Sequence, residues 1–532
     1  MKQRLNPINK KNLIMNLTRS IMNILLQGLY VIYFFGLCSI SQAQELNSNS
    51  NRNNFNEKNI NEPIMKSGIS ADKVKRIEIF IQQSMRQIDV PGVSVGILEN
   101  GVAVLLKGFG VSNSQGKQVT SATPFKLGSV SKSFTALAMM QLIKEERVAL
   151  DTPIVNIIPW FKSENKEISD LILVKHLLSH KSGFSTIAGN RNQHSEDHSS
   201  NALKTAVQEL NLIKLVRNPG EAYQYSNANY QVLGYLLEIL DASSYEKVIS
   251  KRILNPLNMK NTSVHKQIRQ DSSATQGYQL AFGAAEEFKD KLGRATIAQG
   301  GIYSSAEDML KYMGHYLKHD SPVIPAQIRD KMISSEDDDV PYGYGFGWYY
   351  YHQKDYRMIY HSGISAGYET GALFSPELDI AIVVLINASS GFGLNNVSGI
   401  VSGVSRIVFD EPLGNLNAPI FEQIILGLIF MVPLLILFFA FRFIRKYNNG
   451  NCSSLMKPYR IFEILRRIVL PSVLYFGISF LLLILLPKLN GATLEAVKLF
   501  QPLVYLGIIT CSVIAIGWCI IRIILIFRLR RI

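Results

Sequence analysis

The chain has 532 residues, 47% of them hydrophobic, with a formal charge of +14 and four cysteines. The charge first suggests nucleic acid, but residues 44 to 420 hold 37 Lys and Arg against 38 Asp and Glu, so the excess sits at the two ends and a nucleic-acid partner is excluded. Cys38, Cys452, Cys511 and Cys519 all lie outside that neutral region, which excludes a disulfide framework, a cysteine nucleophile and a cysteine-based metal site there.

The first twenty residues are basic, and Ile21 to Ile40 is mostly apolar and ends in Ser41-Gln42-Ala43. This is the pattern of a secretory signal over residues 1–43, cleaved after Ala43; the length of the apolar run leaves an uncleaved anchor as the alternative. Cys38 raises lipidation, but Leu37 before it is too large for that processing site. Residues 44–69 are rich in Asn and Ser and read as a flexible linker.

A domain is expected over 70–415. Ala71 to Ile88 has helical periodicity, with Ser70 as N-cap. Val93–Leu98 and Val102–Lys107 flank Glu99-Asn100-Gly101, a hairpin signal. Helices are expected from Ser129 to about Glu146, from Ser169 to Ser179, from Asn229 to Leu240 and from Ser305 to Lys318. The acidic run Glu336-Asp337-Asp338-Asp339 lacks calcium-loop spacing and reads as a solvated loop. Thr370–Phe374 and Ile380–Ile386 bracket Ser375-Pro376-Glu377-Leu378, a second hairpin. The order predicts an α+β fold: one antiparallel β-sheet shared by the two ends of the domain and flanked by helices, with the helical middle as a separate lobe.

From 424 the character changes. Three apolar stretches of spanning length, about 424–441, 468–486 and 503–521, predict three transmembrane helices in a segment over 420–532. The loop after the first and the tail after the third are rich in Lys and Arg, whereas the loop after the second holds only Lys488, Glu495 and Lys498. The positive-inside rule then makes the C-terminus cytoplasmic and residues 44 to about 420 extracytoplasmic, in agreement with the signal.

Three short segments carry chemistry. Ser129-Val130-Ser131-Lys132 opens a helix, so Ser and Lys share a face one turn apart. Taken alone it also describes an N-cap serine and a solvated lysine. Functionally, it supplies a nucleophile, a base whose pKa burial can lower, and free backbone N–H groups for a developing anion. Tyr225-Ser226-Asn227 is a turn before a helix, or else a proton relay or base at Tyr225, the latter if a cation such as Lys132 lowers its pKa, beside an asparagine that donates to a substrate amide carbonyl. His361-Ser362-Gly363 is an ordinary loop, or else a strand edge that a substrate backbone can approach.

In this order the three segments resemble the serine β-lactamase and penicillin-binding-protein superfamily, in the branch of class C β-lactamases, DD-carboxypeptidases, D-peptidases and related esterases. Leu177-Leu178-Ser179-His180-Lys181-Ser182-Gly183, Pro219-Gly220 to Gly234, Gly300-Gly301-Ile302-Tyr303-Ser304-Ser305 and Tyr344-Gly345-Phe346-Gly347-Trp348 extend the resemblance over about residues 70 to 405. It implies Ser129 as acylated nucleophile, Lys132 as base and Tyr225 as proton carrier. It further implies Asn227, His361, Ser362 and Gly363 as substrate-binding residues, and the backbone N–H groups of Ser129 and Ile364 as oxyanion hole. His180 would be structural. A lysine usually stands where this chain has His361, so grip on an anionic substrate should weaken with rising pH.

The expected protein is a membrane-anchored serine hydrolase without metal or organic cofactor. Its expected partners are membrane lipid, peptidoglycan or other envelope material, and a peptide, ester or β-lactam substrate. Cell-wall D-amino-acid peptides come first, D-alanyl or other acyl esters next, then β-lactams. The alternative of another class is a sensor that is acylated without turnover.

Overall fold

A computed structural model describes residues 68–264, 274–281, 284–318, 321–334, 341–353, 355–390, 396–414, 420–448 and 468–528. The signal or anchor, most of the linker, the acidic run and most of the basic loop and tail lie outside the described residues.

Helix α1 (Ala71–Ile88) begins where Ser70 accepts a hydrogen bond from the Lys73 N–H, and it ends at Asp89 in the left-handed region. The hairpin of β1 (Gly92–Glu99) and β2 (Val102–Gly110) follows. Five more strands come from the far end of the domain: β3 (Tyr342–Tyr344), β4 (Tyr349–His352), β5 (Arg357–Ser365), β6 (Tyr368–Ser375) and β7 (Ile380–Ile386). They form one seven-stranded antiparallel sheet, order β2-β1-β7-β6-β5-β4-β3. β1 and β7 pair in register from Val93↔Ile386 to Glu99↔Ile380, so the two ends of the domain share a sheet as expected.

β7 is buried along its whole length because the sheet is covered on both faces. α1 and a helix over Ser398–Val408 pack on one face through Ile77, Phe80, Ile81, Ile400 and Val404. The helical lobe packs on the other. Its centre is α2 (Ser131–Lys144), where eleven of fourteen residues are buried, so it reads as apolar all round. Around it lie α3 (Thr186–Asn190), α4 (Asn227–Asp241) and α5 (Ala306–Leu317). The helix expected over 169–179 is instead two short turns, Lys166–Ser169 and Val174–Leu178. Between them Ile172 O accepts from Ile154 N and Val174 N donates to Thr152 O, so tertiary hydrogen bonds take the groups a helix would use.

Beyond the domain come α6 (Ile420–Asn448), α7 (Leu470–Phe480, continued by helical turns to Leu489), α8 (Leu494–Phe500) and α9 (Pro502–Arg528). Gly427–Arg445, Leu470–Leu489 and Pro502–Phe527 are long and apolar enough to cross a membrane. α9 packs against both α6 and α7 through Ile436, Cys511, Ala515 and Trp518. Asn490–Gln501 is the hairpin joining the last two of these helices.

Candidate active site

The turn before α2 is a single 3-10 turn, Gly128–Val130, rather than the start of the helix proper. Gly128 adopts φ +53, and a Cβ there would lie 2.9 Å from Ile364 N. A Cβ on Gly363 would strike Leu127 O at 1.9 Å and sit 3.2 Å from Ser129 N. Two glycines therefore let this turn and strand β5 touch, which brings the Ser129 and Ile364 amides close together. Such a pair of donors suits an oxyanion.

Lys132 is completely buried one turn into α2. Its Nζ lies 3.0 Å from Ser129 Oγ and donates to Gln299 O at 3.0 Å. It faces the Tyr225 and Tyr230 rings at 5.0 and 5.7 Å. Burial holds its pKa well below the usual lysine value. An amine poised to lose its proton beside a serine hydroxyl can act as its base.

Tyr225 reaches the same oxygen from the other lobe wall, its hydroxyl donating to Ser129 Oγ at 3.0 Å. Burial drives the Tyr225 pKa up, with the Ser129 contact partly opposing it, so the hydroxyl stays protonated and can deliver a proton. Its position is fixed from behind. His180 is fully buried at φ +56 and packs on the Tyr225 ring at 4.4 Å. His180 Nδ1 accepts from Ser226 N at 3.2 Å and meets Asn229 Nδ2 at 2.9 Å. Burial, then the charge of Lys132, lowers its pKa, so it packs against the tyrosine as a neutral ring.

Asn227 opens α4, with its Nδ2 donating to Asn190 Oδ1 at 2.9 Å. Its Oδ1 is buried with no partner among the described residues. One N–H of the amide is thus engaged by Asn190, while the acceptor Oδ1 is enclosed.

His361 is 2% exposed on β5. Its Nδ1 lies 2.7 Å from Ser362 O, which can only accept, so Nδ1 carries the proton, and Nε2 lies 3.4 Å from Tyr344 OH. Burial, then Lys132, pushes the pKa down to about 3. The expected pH-dependent cationic grip is thus corrected: tyrosines 344 and 349 close over the ring, and it is neutral at physiological pH. Ser362 and Gly363 follow on the strand, and the Ile364 side chain stands exposed at 48%. Sequence reasoning missed Asn190, the tyrosine wall and Glu369. Glu369 pairs with Ile364 across β5 and β6 and is buried at 3%. Burial raises its pKa to about 7 against hydrogen bonds from Ser390.

Fold and site together define a serine-hydrolase scaffold of the β-lactamase and penicillin-binding-protein superfamily. A family model for β-lactamase matches residues 77–396, more than half of the chain, and the chain belongs to that family. Among curated proteins, Protein flp of Staphylococcus aureus strain MRSA252 is 26% identical over 329 residues, 61% of this chain. The match spans only 65% of that relative's length. Among solved structures, the octameric penicillin-binding protein homologue from Pyrococcus abyssi superposes with TM-score 0.56 at 28% identity, covering 66% of this chain and 81% of that one. D-alanine carboxypeptidase AmpC from Burkholderia cenocepacia shares the fold, with TM-score 0.53 at 18% identity over 64% of this chain and 99% of that one.

Proposed function

We propose that this protein is a membrane-anchored extracytoplasmic serine hydrolase that forms an acyl-enzyme on Ser129 and cleaves D-amino-acid peptides of the cell wall. The observation that carries the reading is the convergence of Lys132 Nζ and Tyr225 OH on Ser129 Oγ, each at 3.0 Å. Neutral Lys132 takes the Ser129 proton as the oxygen attacks the substrate carbonyl. The Ser129 and Ile364 amides hold the oxyanion, a contribution of about 2.7–4 kcal/mol per donor. Tyr225 protonates the departing amine and is reprotonated by the Lys132 ammonium. Water then repeats the sequence on the acyl-enzyme, with the same groups reversed. Asn227 and the β5 edge at Ser362 and Gly363 hold the substrate backbone.

One observation favours a second substrate class. A neutral His361 leaves β5 without the cation that a terminal carboxylate would seek, which suits a D-alanyl ester better than a C-terminal peptide acid.

The test uses the full-length chain in detergent. Incubation with benzylpenicillin should add one acyl group, mapped by mass spectrometry to the Ser129 peptide and absent from Ser129→Ala. D-alanyl peptides and D-alanyl esters should then be turned over repeatedly. Acylation elsewhere overturns the mechanism, and a stoichiometric adduct without product release makes the protein a sensor.

A further inference from the structure

If all three apolar helices cross the bilayer, the hairpin between the last two emerges on the face from which the hydrolase domain enters α6. Parity of crossings alone requires this. The hairpin touches the domain at two places, one on the helical lobe and one beside the sheet.

On the lobe side, Gly491 O accepts from Asn190 Nδ2 at 2.9 Å, while Asn190 Oδ1 accepts from Asn227. A Cβ on Gly491 would lie 3.5 Å from the Cβ of Thr186, whose hydroxyl donates to Tyr225 O. On the sheet side, Leu499 O accepts from Gln279 Nε2, and Gln501 Nε2 lies 3.5 Å from Ser390 O. Ser390 holds Glu369, the strand partner of Ile364. The lobe-side foot thus stands one residue removed from Asn227, and the sheet-side foot two residues removed from Ile364. The seven residues of α8, about 10 Å at 1.5 Å per residue, bridge the two feet. The hairpin is also built as a rigid piece: Thr493 caps α8, and Ala492, Ala496 and Val497 are buried against Ile508.

We propose that the Asn490–Gln501 hairpin is a wall of the substrate cleft, and that Asn190 is the positioning residue through which it orients Asn227. The proposal rests on the reading of Asn227 as a substrate-binding residue. Asn190 gives its donor to the membrane segment, and its acceptor is shared between Asn227 and Gln193 Nε2, each at 2.9 Å, so the hairpin contact and Gln193 together set the amide that Asn227 meets.

The experiment uses the full chain in native membranes. In a background lacking the four native cysteines, Thr186→Cys with Gly491→Cys should give a disulfide on mild oxidation, since 3.5 Å between Cβ atoms suits one. Gly491 is at φ +62, so a photo-crosslinking benzoylphenylalanine at position 186 provides a second readout, with capture of the 490–501 peptide expected. Asn190→Asp keeps the acceptor for Asn227 and loses the donor to Gly491. It should raise KM for a D-alanyl ester or peptide about tenfold with kcat within twofold. Replacing residues 490–501 by a short Gly-Ser turn should have a similar effect, and combining the two should add nothing further. Absence of both crosslinks, or additive effects, overturns the proposal. Crosslinks in a chain that never acylates Ser129 would leave the docking standing while removing both the positioning role and the hydrolase reading.

Discussion

Tyr225→Phe isolates one hydroxyl. The phenyl ring keeps its 4.4 Å packing on His180 and its place beside Lys132 Nζ, so only the hydrogen bond to Ser129 Oγ is lost. Folding should change little, because a single neutral hydrogen bond nets about 0.5–1.5 kcal/mol. Chemistry should change far more. Positioned proton transfer is worth about 10²–10⁴-fold, or about 2.7–5.4 kcal/mol at 1.36 kcal/mol per tenfold. An amine cannot leave without a proton, whereas an alkoxide from an activated ester leaves more readily. The variant should therefore lose at least about a hundredfold in kcat/KM on a D-alanyl amide and distinctly less on the matched activated ester. Stopped-flow acylation and steady-state release with the two substrates measure both. Amide turnover within a few-fold of the parent protein, or equal losses on amide and ester, would refute the assignment of Tyr225 as proton donor.

Acylation should rise with pH through the lowered Lys132 pKa and then stay level to about pH 10, because burial keeps Tyr225 protonated there; Lys132→Arg, which cannot release its proton, should abolish fluorescent-penicillin labelling at every pH. No inflection from His361 is expected between pH 5 and 8, and His361→Gln should leave the shape of the profile unaltered. Glu369 binds its proton more tightly folded than unfolded, so stability should fall as pH rises from about 4.5 to about 7. Glu369→Gln should remove that slope, worth on the order of 3 kcal/mol, in detergent melting curves. Arg294 is 6% exposed and bonds Glu246 at 2.7 Å as well as Glu238; Arg294→Met should cost about 3 kcal/mol, the low end for a broken buried pair because Glu246 keeps 23% side-chain exposure. Chemical denaturation of the purified chain measures this loss.

What was legible in the sequence is what local pattern encodes. α1 and its Ser70 cap, both hairpins and α5 follow from periodicity and turn residues, and Ser129 and Lys132 meet because one helical turn separates them. Tyr225 joined them only through motif order, since nothing local says that residue 225 returns to residue 129. The charge state of His361 was illegible for a different reason. It depends on tyrosines 344 and 349 folding over the ring, and burial by other strands leaves no mark on a three-residue motif. Asn190 was missed because an asparagine ending a five-residue helix looks like any loop polar group. Its neighbour Gly189 carried a faint signal: a Cβ there would strike Asn227 N at 2.3 Å.

The docked hairpin also bears on how the protein should be handled. Its hydrogen bonds to the domain are few, and as separate molecules the two parts would meet rarely at working concentrations. Held on one chain, they face each other at an effective concentration in the millimolar range, enough to keep a weak contact occupied. Cutting the chain near residue 415 to obtain a soluble enzyme discards that advantage along with the helices. The excised domain would then be a different reagent from the intact chain, without the hairpin's contacts at Asn190 and Ser390, and its preferences among substrates should not be transferred to the intact chain.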